Sequence, residues 1–367
     1  MAGGLFELRR DDITGWWVAV VVDREFERQR FALPALRVDT PDEACQNCAS
    51  APTDHAWVRT LKPQAFTVAG GGRELREREH RERDVRDSAA ADTEPREQRL
   101  GLMGDLGSWK TIAAPRGHHA GLAEETGALV IEMLGLARSQ VAEARAGGQT
   151  EYLQVVQNWG AQAGARTNHL CLDLYDLPHI PHRIGEELGG AARYVIREGV
   201  CPWCRLVHDE VARRERLVFE DAASVCFAPY ASRSPFELWV VPRHHEADFG
   251  RATDAQLTSA GETLQKVMRL LGVLDGPAYN LVLHTAPLHE RVDETYHWHW
   301  EVHPRLREIA GLELGTGLPV NPVSPEEAVD ELLGPTRAAS GQLNEDVDRS
   351  IEDDGPSARR SWDDFPR

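Results

Sequence analysis

The chain runs to 367 residues, with 41 lysines and arginines against 59 aspartates and glutamates, a formal net charge of −18. That length calls for two or three domains and supports a core without disulfide staples. The acidity argues against a nucleic-acid groove, which needs clustered positive charge, but not against a small phosphorylated ligand held by a few placed donors.

No stretch reaches 18 consecutive apolar residues, so no membrane helix and no membrane partner are expected. The opening MAGGLFELRRDD lacks the apolar run of a secretory signal, and the expected location is cytoplasmic. Six cysteines stand at 45, 48, 171, 201, 204 and 226, four of them in two C-x-x-C pairs. In a cytoplasmic chain such pairs point to metal or redox chemistry before structural disulfides.

In chain order, ITGWWVAVVV at 13–22 reads as a strand. Residues 73–98 are almost wholly charged or small and cannot bury a face, so the stretch 73–106 reads as a disordered insertion. SWKTIAAP at 108–115 is a strand, 123–148 a helix ending in two glycines, and EYLQVVQNWG at 151–160 a strand. The second half repeats this order. RLVFEDAASVCFAPYA at 216–231 reads as a hairpin and PFELWVVP at 235–242 as a strand. Residues 253–274 form an amphipathic helix with Thr253 as N-cap. YNLVLHTAP at 279–287 and YHWHWEVHP at 296–304 are strands, and Cys226 is a buried core thiol. Residues 336–367 read as a disordered acidic tail.

Side by side, the halves match. The first holds CQNC at 45–48, PRGHH at 115–119 and NHLC at 168–171; the second holds CPWC at 201–204, PRHHE at 242–246 and YHWHW at 296–300. His118 and His245 each lie three residues after a proline, and His169 and His297 follow them by 51 and 52 residues. From Cys48 to His118 is 70 residues, from Cys204 to His245 only 41, an excess close to the insertion's length. The chain is a duplicated unit. Two thiolates and two imidazoles make tetrahedral sites of the kind zinc favours, filled by protein and therefore structural. The expectation is two zinc ions, on Cys45, Cys48, His118 and His169, and on Cys201, Cys204, His245 and His297. His119 and His244 are rival ligands.

These segments resemble a family. A duplicated strand–helix–strand unit ending in H-x-H is similar to the histidine-triad superfamily, and with C-x-x-C pairs to its galactose-1-phosphate uridylyltransferase branch. DITGWWV at 12–18, QNWGAQAGARTNHLC at 157–171, the run from Val218 to His245 and the run from Tyr279 to Ala328 carry it. The resemblance implies an α+β fold of two histidine-triad-like halves, 1–185 and 186–335, each an antiparallel sheet with packed helices. It implies ping-pong transfer of a nucleotidyl group from a nucleotide sugar to a histidine, then to a sugar 1-phosphate. It places the same zinc ligands, puts nucleotide contacts at Asn158, Gly160 and Gly164, and makes a homodimer possible.

The first half departs from the family pattern. The nucleophile position, two residues after His169, holds Cys171; the phosphate-contacting glutamine is Asp173; a serine is Arg166. A cysteine attacks only as thiolate, with a free pKa of roughly 8.5. Asp173 would raise it, while Arg166 would lower it and hold a phosphate. The equivalent second-half position is His299, sharing a strand face with His297 and Glu301, and His284 matches a metal- or substrate-facing position in some relatives. Cys171 in the first-half pocket is the expected reacting residue and His299 its rival. The readings are a nucleotidyltransferase, a silent zinc-stabilised binding homologue, or a phosphorylase or hydrolase of nucleotide sugars.

Overall fold

A computed structural model describes residues 6–21, 36–38, 45, 47–48, 52, 54–61, 108–115, 121–148 and 150–344, of 335–344 the backbone only. The insertion at 73–106, His118, His119 and residues 345–367 lie outside the described residues.

Nine strands form one sheet, each hydrogen-bonded pair antiparallel: β3 (Trp57–Leu61), β4 (Ser108–Ala113), β6 (Cys171–Leu177), β5 (Tyr152–Trp159), β10 (Tyr279–His284), β11 (His299–Pro304), β9 (Leu238–Pro242), β8 (Ser224–Phe227) and β7 (Leu217–Glu220), in that spatial order. The halves meet at a seam where Tyr279–Val282 of β10 pair with Val156–Trp159 of β5. A small sheet joins β1 (Phe6–Arg10), β2 (Trp17–Val21) and β12 (Val320–Asn321).

Helices α1 (Gly127–Gly147) and α4 (Asp254–Leu270) cover one face of the large sheet. Their buried Met133, Leu134, Leu257 and Leu264 meet Leu172, Leu174, Leu281, Leu283, Trp300 and Val302 in a single core. Thr126 and Thr253 cap the two helices, Thr253 in a full capping box. On the opposite face of the second half lie α2 (His182–Glu198) and α3 (Pro202–Arg213). They bury Ala191, Trp203 and Val207 against Val225, Phe227, Trp239 and Val241. Strands β8 and β9 are therefore covered on both faces, and their sequences read as continuous apolar runs rather than alternation. Cys226 is fully buried, as expected.

Neither α2 nor α3 was expected from periodicity. The expected division at 185/186 falls inside α2, whose Gly190 lies against the 11–15 turn; an added Cβ would sit 1.8 Å from the Ile13 carbonyl oxygen. A short α5 (Gly311–Thr316) precedes α6 (Pro325–Asn344). The tail expected to be disordered from 336 is helical to Asn344. That stretch, TRAASGQLN, mixes good and poor helix formers after Gly334 and Pro335, so it continues a helix nucleated by the packed 325–333 turns rather than forming one on its own propensity.

Candidate functional site

Cys201, Cys204, His245 and His297 converge with ligand atoms all within 4.8 Å of one another. Cys201 caps α3 with Pro202 in its first turn, so the C-x-x-C pair stands at a helix N-terminus, where thiolates are favoured. Hydrogen bonds from the Cys201 thiol and then from His245 and His297 hold Cys204 down at about 3. The Nδ1 atoms of His245 and His297 lie 3.3 and 3.6 Å from its Sγ. Their Nε2 atoms bond the Asp293 and Pro242 carbonyls at 2.6 and 3.0 Å, which fixes each ring with Nδ1 toward the thiols. His244 is not part of the group.

The first half repeats the device. Cys45, Cys48 and His169 come together, with His169 Nδ1 3.3 Å from Cys48 and its Nε2 on the Ala114 carbonyl at 2.9 Å. Ala114 directly follows β4, and Pro242 is the last residue of β9. Both groups suit a thiophilic, tetrahedral ion in donor type and ring orientation.

The remaining first-half pocket is arranged against its expected chemistry. Asp173 is buried and its Oδ1 accepts from Arg166 Nη2 and Thr111 Oγ1 at 2.8 Å each, and from Trp109 Nε1 at 3.3 Å. Arg166 is thus engaged by a carboxylate, its guanidinium stacked 4.0 Å over Trp109. Burial first, then Asp173, push the Cys171 thiol far above its ordinary range, leaving a neutral thiol and a poor nucleophile. Gly160 and Gly164 have φ of 81° and 78°, so the turn between them requires glycine. Asn158 Oδ1 accepts from Asn280 Nδ2 at 2.7 Å, and that same nitrogen donates to the Ala163 carbonyl at 2.8 Å. This ties the glycine turn to the seam.

The second-half counterpart is a charged hub. Glu301 is fully buried and contacts Arg183 at 2.6 Å, Arg233 at 2.9 Å, His303 at 2.9 Å and His284 at 3.4 Å. Burial pushes its carboxyl up, but Arg233, His284, His299 and His303 outweigh this and hold it well below the carboxylate range. His284 Nδ1 in turn meets Glu187 at 3.0 Å, which also accepts from the Tyr296 hydroxyl at 2.7 Å. His299 is fully buried between Trp203 and Trp239, with Nδ1 on the His297 carbonyl at 3.0 Å. Beside the hub opens a cavity of about 710 Å³ whose wall includes Arg183, Arg233, Ser234, Asn280, Glu301 and His303, but not His299. Sequence reasoning missed Arg183, Glu187, Arg233 and His303. For His303 the signal was present: it continues the period-two face of His299 and Glu301.

The fold sets two Cys/His corners, one in each half, on a single nine-stranded antiparallel sheet. The solved structure of an ADP-glucose phosphorylase from Arabidopsis thaliana with bound ADP-glucose superposes with a TM-score of 0.66 at 23% identity, covering 89% of this chain and 98% of that one. A uridylyltransferase structure superposes at 0.64 with 23% identity, covering 90% and 99%. Among curated proteins, an ADP-glucose phosphorylase of Arabidopsis thaliana is 33% identical over 181 residues, 48% of this chain and 50% of that relative. A galactose-1-phosphate uridylyltransferase of Thermotoga maritima is 27% identical over 191 residues, 50% and 59%. The matches span about half the length of these curated relatives. No family model matches the chain. The resemblance to the galactose-1-phosphate uridylyltransferase family stands, in sequence over that half and in fold along most of the chain.

Proposed function

We propose that the chain moves a nucleoside monophosphate from a nucleotide sugar to a phosphate acceptor. The observation that carries this is the joint sequence likeness to an ADP-glucose phosphorylase and to uridylyltransferases. The first favours inorganic phosphate as acceptor, the second a sugar 1-phosphate. Asn158, Gly160 and Gly164 form the proposed nucleotide loop, where positive-φ glycines let a phosphate or base approach the backbone. Purified protein is incubated with UDP-glucose or ADP-glucose, with and without galactose 1-phosphate or inorganic phosphate, and released glucose 1-phosphate is measured. Acceptor-dependent release supports the reading. Binding without release leaves the silent homologue, and release without acceptor makes the chain a hydrolase.

The two Cys/His groups are proposed to hold structural zinc, the first completed by His118. Bound zinc would cross-link each C-x-x-C corner to the strand-end histidine. It supplies no step, because protein ligands fill its positions. A homodimer and a cytoplasmic location are part of the same proposal; among the described residues no helix is long and apolar enough to cross a membrane.

A further inference from the structure

We propose that His303, in the second half, is the residue that carries the nucleotidyl group. This rests on the nucleotidyl-transfer reading above and deepens it by locating the covalent step.

The sheet register supplies the first argument. Asn158 pairs with Asn280 across the seam, and Asn280 pairs with His303 across the next ladder. The three residues form one row over β5, β10 and β11. Adjacent strands lie about 4.8 Å apart, so His303 is about 10 Å from Asn158 along that row. A nucleoside held at the glycine turn beside Asn158 would extend its phosphates toward His303.

The imidazole is also prepared for attack. Its Nε2 lies 2.9 Å from Glu301, an ionised carboxylate that can only accept, so Nε2 carries the proton. In the neutral imidazole Nδ1 then keeps its lone pair. It lies 3.4 Å from the Ser234 hydroxyl, and both residues line the cavity wall. Arg305 lines that wall too and can offer donors to phosphate oxygens, beside Arg183 and Arg233, which Glu301 already engages. A volume of about 710 Å³ falls within the ordinary range for a small-molecule site. Ser234 stands two residues before Phe236, whose φ of 59° is costly for a bulky side chain, so the loop is held in a conformation that local preference does not supply.

The step balances without another reactant. His303 Nδ1 donates its pair to the nucleoside-bearing phosphorus, and the bridging P–O bond breaks. The sugar 1-phosphate leaves with that electron pair. The imidazolium of the adduct is offset by Glu301 through Nε2–H. An oxygen of the acceptor phosphate then attacks phosphorus, the P–N bond breaks, and the pair returns to Nδ1.

The test uses the full chain and UDP-glucose or ADP-glucose labelled in the nucleoside phosphate. The reaction is quenched in alkali, where phosphoramidates survive, and peptides are mapped by mass spectrometry. Label on His303, chased by acceptor, is expected; His303→Gln should lose the label and at least about 10³-fold in turnover. Label on Cys171, His299 or Ser234 overturns the inference, as does turnover retained by His303→Gln. Turnover without any labelled residue overturns it while leaving nucleotidyl transfer intact. Absence of turnover with every donor and acceptor removes both readings.

Discussion

At Glu301 one carboxylate answers two arginines and three histidines inside the protein. Removing its charge leaves Arg183 with Glu187 and Arg233 with Glu237 as their remaining carboxylate partners, beside a neutral amide. Breaking such a pair typically costs about 3–5 kcal/mol. Glu301→Gln should therefore unfold in markedly less denaturant, measured by chemical denaturation at pH 7. The pH dependence has a definite sign. The Glu301 carboxyl is held well below its ordinary 4.5, so its contribution is full above that value and is lost as pH falls through the lowered one. The variant should lack that part of the acid limb. Cys171 offers a second test. Its thiol is pushed up, so iodoacetamide at pH 8 should modify it far more slowly than a free cysteine, followed by peptide mass spectrometry. Modification at the rate of free cysteine would contradict a neutral thiol. Much of this was hidden from the sequence. The C-x-x-C pairs and their spacing gave the ligand groups, because metal chemistry fixes both residue type and interval. The engagement of Arg166 by Asp173 could not be read, since an arginine near a carboxylate is equally consistent with holding a phosphate.

Among elements, most strands of the large sheet, β2 and the two capped helices were legible because period and capping are local, whereas β1, β3 and β12 were not read. Helix α2 was not. Its Ile184, Leu188 and Ala191 recur at helical spacing, but Gly185, Gly189 and Gly190 lower its intrinsic preference. The packing explains the last of these. At Gly190 the backbone of the 11–15 turn occupies the space of a side chain, and a backbone oxygen cannot swing aside. Gly190→Ala should lower Tm sharply, while Gly189→Ala, which meets only the end of Arg193, should leave it nearly unchanged or raise it. Equal shifts would show that helix propensity, not the close approach, decides. Thr253→Ala removes the capping box of α4 and should cost about 1 kcal/mol, read from the same unfolding curves.

Across the whole molecule, the proposed zinc ions are the strongest cross-links available to a chain without disulfides. Metal analysis should return two zinc equivalents, and Cys201→Ser should lose one and lower Tm. Structural zinc can contribute about 10–16 kcal/mol of apparent binding energy in small domains, so chelation should also destabilise the fold. A chain with full metal content after Cys201→Ser would contradict the second site. The two halves share one sheet, because the nine strands are hydrogen-bonded without interruption. Duplication was visible in sequence as repeated spacing; the continuous sheet was not, because strand pairing between distant segments leaves no local mark.

The seam also bears on how the chain could be cut. Tyr279–Val282 and Val156–Trp159 now satisfy each other's backbone groups. Either half made alone would present that strand as a naked edge, with its ladder groups open to any passing chain. Such a fragment would recruit copies of itself and precipitate. Produced together, the two pieces would protect one another, so solubility on co-expression would report that the ladder had re-formed.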